Sequence, residues 1–175
     1  MPFKSYKIQC FSLFLAAFLV FAPVSVLAQD AKSVFSATGF PIPRFVSLSS
    51  DKVYMRSGPG TKYPVLWEYK KKGLPVEVIM EFDIWRKIRD VDGTEGWVHK
   101  SLLSGRRYVI VNADDLVSLK RKPQDDARLM AYLEPGAIAT VDECAGAWCK
   151  VSAEGYVGWS ERKNFWGVYP NEEFD

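Results

Sequence analysis

The chain has 175 residues, enough for one ordinary domain or two very small ones. Its 23 Lys+Arg exceed its 21 Asp+Glu by two, and two of the cations, Lys4 and Lys7, lie ahead of Gln29, so from Gln29 onward the charges balance at 21 of each. Nucleic-acid binding needs a basic face to neutralise phosphates, and a neutral chain is a poor candidate for it.

The segment from Met1 to Ala28 reads as a secretory signal peptide. Lys4 and Lys7 form a positive n-region, Phe11 to Phe21 is a short apolar run, and Val26-Leu27-Ala28 puts small or medium residues at a cleavage motif. The expected cut falls between Ala28 and Gln29. A membrane anchor is the alternative, because the uncharged run from Ile8 to Gln29 is long enough to span. Pro23 and Ser25 interrupt its end and a cleavage motif follows, so the expectation is a periplasmic or secreted protein with no stable membrane insertion after cleavage. Cys10 precedes the apolar run, the wrong place for a lipid-modified cysteine.

Residues 29–43 carry Gly39, Pro41 and Pro43 and read as a linker arm. Short β runs follow: Phe45 to Leu48, Val53 to Arg56, Val65 to Tyr69 and Val76 to Phe82, separated by Ser57-Gly58-Pro59-Gly60 and Lys70-Lys71-Lys72-Gly73. Trp85 to Trp97 then reads as a hairpin turning at Asp92-Gly93, because Gly accepts φ > 0 at no steric cost. No stretch shows sustained helical periodicity. High aromatic content suits small β domains, whose cores hold few residues.

The second half repeats the first. Met55-Arg56 corresponds to Leu119-Lys120, Gly73 to Gly136, Trp85 to Trp148 and Gly96-Trp97 to Gly158-Trp159, all at nearly one offset along the chain. The expected units are 44–108 and 109–170, followed by a tail at 171–175. Tyr108 to Val111 serves either as an apolar junction or as the last strand of the first unit. The loop Ser57 to Thr61 corresponds to Arg121 to Asp125 with only the Pro kept, so its shape is not expected to be shared. Outside the cytoplasm the remaining pair, Cys144 and Cys149, favours a disulfide across the second hairpin.

Val53-Tyr54-Met55-Arg56-Ser57-Gly58-Pro59-Gly60-Thr61, then Gly73-Leu74-Pro75-Val76, then Trp85 and Gly96-Trp97, resemble a bacterial SH3 (SH3b) domain. The mature chain from Pro41 to Pro170 is similar to exported tandem SH3-like proteins of alphaproteobacteria. The segments that carry this are Pro41 to Leu48, Gly96 to His99, Leu102 to Arg107, Cys144 with Trp148-Cys149, and Trp166 to Pro170. The resemblance implies an all-β protein of two tandem five-stranded SH3-like barrels and non-catalytic binding. The family usually has Asn where this chain has Tyr54, so that Asn's role is not carried over.

SH3-type grooves use exposed aromatics as platforms for extended peptide. Tyr54, Tyr63 and Trp85 lie beside loops and are the expected groove residues; core packing is the blander alternative. Trp97 and Trp159 each follow a strand-opening Gly and are expected to pack inward. The basic clusters Lys70-Lys71-Lys72, Arg106-Arg107 and Lys120-Arg121-Lys122 read as solvated turns that protect edge strands rather than as a docking face for anionic wall peptide or a membrane surface. Ser57-Gly58-Pro59-Gly60 is a turn and not a phosphate cradle, since Pro59 has no N–H. A thiol hydrolase needs a free thiolate beside a base, but the single His, His99, sits in the other unit and the thiols are expected to pair. His99 with two Cys makes no zinc spacing. The expectation is therefore a monomeric binding protein with no enzyme activity, no cofactor and no metal. Its expected partner is peptidoglycan stem peptide, or alternatively an extended segment of another envelope protein.

Overall fold

The structure is a computed structural model, and it describes residues 34–35 and 38–174. The expected signal peptide, its cleavage point at Ala28 and Gln29, and the start of the linker arm lie outside the described residues.

The arm folds back on itself: β1 (Val34–Phe35) pairs antiparallel with β2 (Pro41–Ile42). The first barrel is β3 (Arg44–Leu48), β4 (Val53–Arg56), β5 (Val65–Tyr69), β6 (Pro75–Phe82), β7 (Trp85–Arg89), β8 (Glu95–His99) and, after a 3-10 turn at Lys100–Leu102, β9 (Leu103–Ser104). The second is β10 (Tyr108–Val111), β11 (Val117–Lys120), β12 (Leu129–Leu133), β13 (Ile138–Ala145), β14 (Trp148–Ala153), β15 (Tyr156–Glu161) and, after a 3-10 turn at Arg162–Asn164, β16 (Phe165–Trp166).

The strand orders are β5-β4-β8-β7-β6-β3-β9 and β12-β11-β15-β14-β13-β10-β16, the same topology twice. All pairings within them are antiparallel. Tyr108–Val111 is not the last strand of the first barrel. It opens the second, with Val109 opposite Ala139 and Val111 opposite Phe165.

Period-two alternation builds each core. In β4, Val53 and Met55 point inward while Tyr54 points out. They join Leu48, Val76, Val78, Ile88 and Val98. The second core repeats this with Val109, Val117, Leu119, Val151 and Phe165. Cys144 and Cys149 stand opposite each other on β13 and β14 and are bonded.

The loop after β4 corrects the expectation from sequence. Ser57, Gly60 and Tyr63 donate their amides to the carbonyls of Pro64, Gly58 and Gly60. Arg121, Gln124 and Ala127 donate to Arg128, Lys122 and Gln124, the same bonds at the equivalent positions of the second barrel. The loop keeps its shape because backbone hydrogen bonds define it, and they survive the loss of both glycines.

The two barrels belong to one compact unit, residues 33–175. Phe45 of β3 meets the Trp166 ring edge-on at 4.9 Å and lies 4.6 Å from the Tyr169 ring. The Tyr169 hydroxyl donates to Glu77 at 2.9 Å, and Ser47 Oγ donates to the Arg106 carbonyl at 2.8 Å.

Candidate binding faces

The three aromatics singled out from sequence sit in three different settings. Tyr54 is exposed on β4, with the Lys52 ammonium 5.3 Å from its ring centre. Tyr63 is half-buried and lies against Gly58, where any Cβ would sit 2.6 Å from the ring. Trp85 is only 8 % exposed and meets His99 edge-on at 5.5 Å, so it offers no open stacking face.

Trp97 and Trp159 depart from expectation in the opposite direction. Both are half-buried on the outer face. The preceding glycine takes the inward position, and alternation then turns the Trp outward. A Cβ on Gly96 would lie 2.5 Å from Met55 Cγ, and one on Gly158 would lie 2.7 Å from the Lys120 carbonyl. Glycine at that position thus lets β4 and β11 cross close beneath.

Register aligns the outer residues into rows. In the first barrel Met80, Lys87, Trp97 and Arg56 stand side by side across β6, β7, β8 and β4. In the second, Glu143, Lys150, Trp159 and Lys120 occupy the same row. Each outward Trp therefore stands between two cations. Phe82 is 59 % exposed and meets Trp97 edge-on at 6.5 Å, which widens the first face into an aromatic shelf with exposed Met80.

The flanking cations are held in place. Arg56 Nη1 donates to the carbonyls of Tyr63 and Thr61 at 2.8 and 3.2 Å, and Lys120 Nζ donates to the Asp125 carbonyl at 2.6 Å. Lys87 pairs with Glu95 at 2.6 Å, and Arg89 bridges Glu95 at 2.7 Å and Glu77 at 3.2 Å. Hydrogen bonds from Lys87 and then Arg89 hold the Glu95 carboxyl below its ordinary range. These faces can stack on planar or apolar groups and attract carboxylates beside them.

Both thiols are in the disulfide, and His99 Nδ1 accepts the Ser101 amide at 3.2 Å. Among the described residues no group of three or more His, Cys, Asp or Glu is placed to hold a metal.

Trp97, Trp159, Phe82 and Met80 are the functional candidates that sequence reasoning missed or set inward. The signal was present: an obligate inward Gly makes its successor face solvent.

A family described as bacterial SH3 domain matches residues 49–105 and 113–167. Over 145 residues the chain is 26% identical to a putative N-acetylmuramoyl-L-alanine amidase, YrvJ, of Bacillus subtilis. That match covers 77% of this chain and 27% of the relative, so the chain spans about a quarter of the length of that curated protein. Among solved structures, NlpC2 from Trichomonas vaginalis aligns with a TM-score of 0.34 at 12% identity, over 75% of this chain and 51% of the other. NlpC1 from the same organism aligns with a TM-score of 0.33 at 11% identity, over 76% and 48%.

Proposed function

Because the chain belongs to the bacterial SH3 domain family, matched twice along its length, we propose that it is a non-catalytic binding protein of the cell envelope that recognises peptidoglycan through the stem peptide. The similarity to a putative cell-wall amidase supports the choice of ligand. The observation that carries the reading is the row of cation, Trp and cation built at the same register in both barrels. A stem peptide is extended and carries carboxylates, so its backbone can lie on the Trp while its carboxylates meet Arg56 and Lys87, or Lys120 and Lys150. Two faces on one chain raise retention through effective concentration. The protein acts in the periplasm or outside the cell, in keeping with the charge and apolar pattern between Met1 and Ala28.

Co-sedimentation of residues 29–175 with purified sacculi, at low and high salt, tests this. Retention that survives salt and is lost when Trp97→Ala and Trp159→Ala are combined is the expected result. No retention, or retention that salt abolishes, overturns it.

A second reading, docking of an extended segment of another envelope protein, is favoured by the sheet edges. β5 and β12 each end a sheet, and both present apolar side chains to solvent: Val65, Leu66 and Trp67 on one, Leu129, Met130 and Tyr132 on the other. Such edges accept an added strand. That reading predicts a specific protein partner and no sedimentation with sacculi.

A further inference from the structure

A cleft of about 500 Å³ opens on the first barrel, with Arg107 and Glu172 from beyond its last strand on the rim. That volume lies within the roughly 300–1,000 Å³ of small-ligand sites. Phe45, Val78 and Leu103 give it an apolar lining, and Arg44, Arg86, Lys100 and Arg107 give it cations.

Among the described residues the cations of the cleft outnumber its carboxylates. Arg44 and Arg86 share one carboxylate, Glu81, at 2.6 and 3.2 Å. Arg107 forks Glu172 at 2.5 and 2.9 Å. Lys100 has no acidic partner among the described residues, so four cations face two carboxylates.

Of these four cations Arg86 is the buried one, while Lys100 is exposed. Arg86 is 5 % exposed; its Nε faces Glu81 and its Nη1 donates to the Asp83 and Trp85 carbonyls at 2.8 and 2.9 Å, which fixes its plane in the wall of the cleft. The buried Nε of Arg107 has no acceptor among the described residues. A buried guanidinium nitrogen whose hydrogen bond is unmade costs stability.

The two barrels differ at this spot. Glu81 stands opposite Arg86 on β6 and β7 where the second barrel has Cys144 opposite Cys149 on β13 and β14. At one register position, one barrel carries an apolar staple and the other an ion pair beside a cleft.

We propose that this cleft binds the terminal carboxylate of a short peptide, whose small apolar residues lie on Phe45 and Leu103. Arg86 and Lys100 would take the carboxylate. Guanidiniums already fork onto carboxylates here, as Arg107 does onto Glu172, and the standing Glu172 opposes a dianion more than a monoanion. The site is separate from the outward Trp rows and does not depend on them.

The test is an NMR titration of residues 29–175, which carry the whole described structure. N-acetyl-alanyl-alanine is compared with its C-terminal amide and with inorganic phosphate. The free acid is expected to shift the Gly105 amide and the Arg86 Nε–H, and the amide to bind at least about tenfold more weakly. Lys100→Gln, at an exposed side chain, is expected to weaken the acid about fivefold or more with an unchanged fold. Arg86→Lys, checked for folding by its own spectrum, should weaken it further. Acid and amide binding equally, phosphate matching the acid, Lys100→Gln without effect, or no shift at about 10 mM would each overturn the proposal.

Discussion

Gly167 is the residue on which the contact between the barrels turns. Its φ is +121°, a conformation L side chains rarely adopt, and a Cβ there would lie 2.6 Å from the Tyr108 carbonyl. Gly167→Ala is expected to destabilise by about 3 kcal/mol, read as a lowered denaturation midpoint with an unchanged slope. Two tyrosines set the alkaline limit. Burial, then the hydrogen bond to Asp90, raises the Tyr69 hydroxyl well above its ordinary pKa of 10.0; burial and Glu77 do the same for Tyr169. The folded state keeps these protons after the unfolded chain has lost them. Their stabilisation is complete below about pH 10 and falls as pH rises beyond it. Thermal unfolding between pH 9 and 11 should show this fall, and Tyr69→Phe with Tyr169→Phe should flatten it. Glu172 acts at the other end. Burial alone would raise its carboxyl, but the Arg107 fork and the Tyr169 amide hold it below its ordinary value, so its contribution is present above about pH 4.5 and is lost in acid.

At the scale of elements, the β6–β7 and β13–β14 hairpins share a register and differ in their staple. Cys144 and Cys149 close a loop of sequence separation 5, so the chain-entropy model allows about 2 kcal/mol for the bond. Replacing both with Ser should lower stability by about that amount, and reductant should then no longer shift the midpoint of the variant. The turn of the β7–β8 hairpin is held differently. Asp90 accepts the amides of Asp92 and Thr94 on Oδ1, at 3.1 and 2.8 Å, and the Tyr69 hydroxyl on Oδ2 at 2.8 Å. A buried carboxylate thereby ties β5 to the far end of the β7–β8 hairpin.

Across the whole molecule, the barrels share one interface of Phe45, Trp166 and Tyr169, bounded by the Arg107–Glu172 ion pair. That interface should make the two barrels unfold together. Calorimetry is expected to give one transition whose calorimetric and van't Hoff enthalpies agree. Phe45→Ala should cost about 3 kcal/mol and split the transition in two. The same interface sets how far apart the two Trp rows stand.

Local rules were enough for the strands, the paired hairpins, the repeat and the disulfide, because alternation, turn glycines and a close cysteine spacing act over a few neighbours. They also held the information about Trp97 and Trp159, since the inward Gly decides the outward Trp. They were not enough for the loop after β4, where residue identities changed while backbone bonds did not. Contacts between distant residues were out of reach altogether. The Arg107–Glu172 pair joins positions 65 apart, and Tyr169 reaches Glu77 across 92. Whether Trp85 is a platform or is buried, and whether Arg86 is solvated or walls a cleft, depends on which strands the fold lays beside them. Register and the docking of one barrel on the other decide that, and both are set by summed burial over the whole chain rather than by any local pattern.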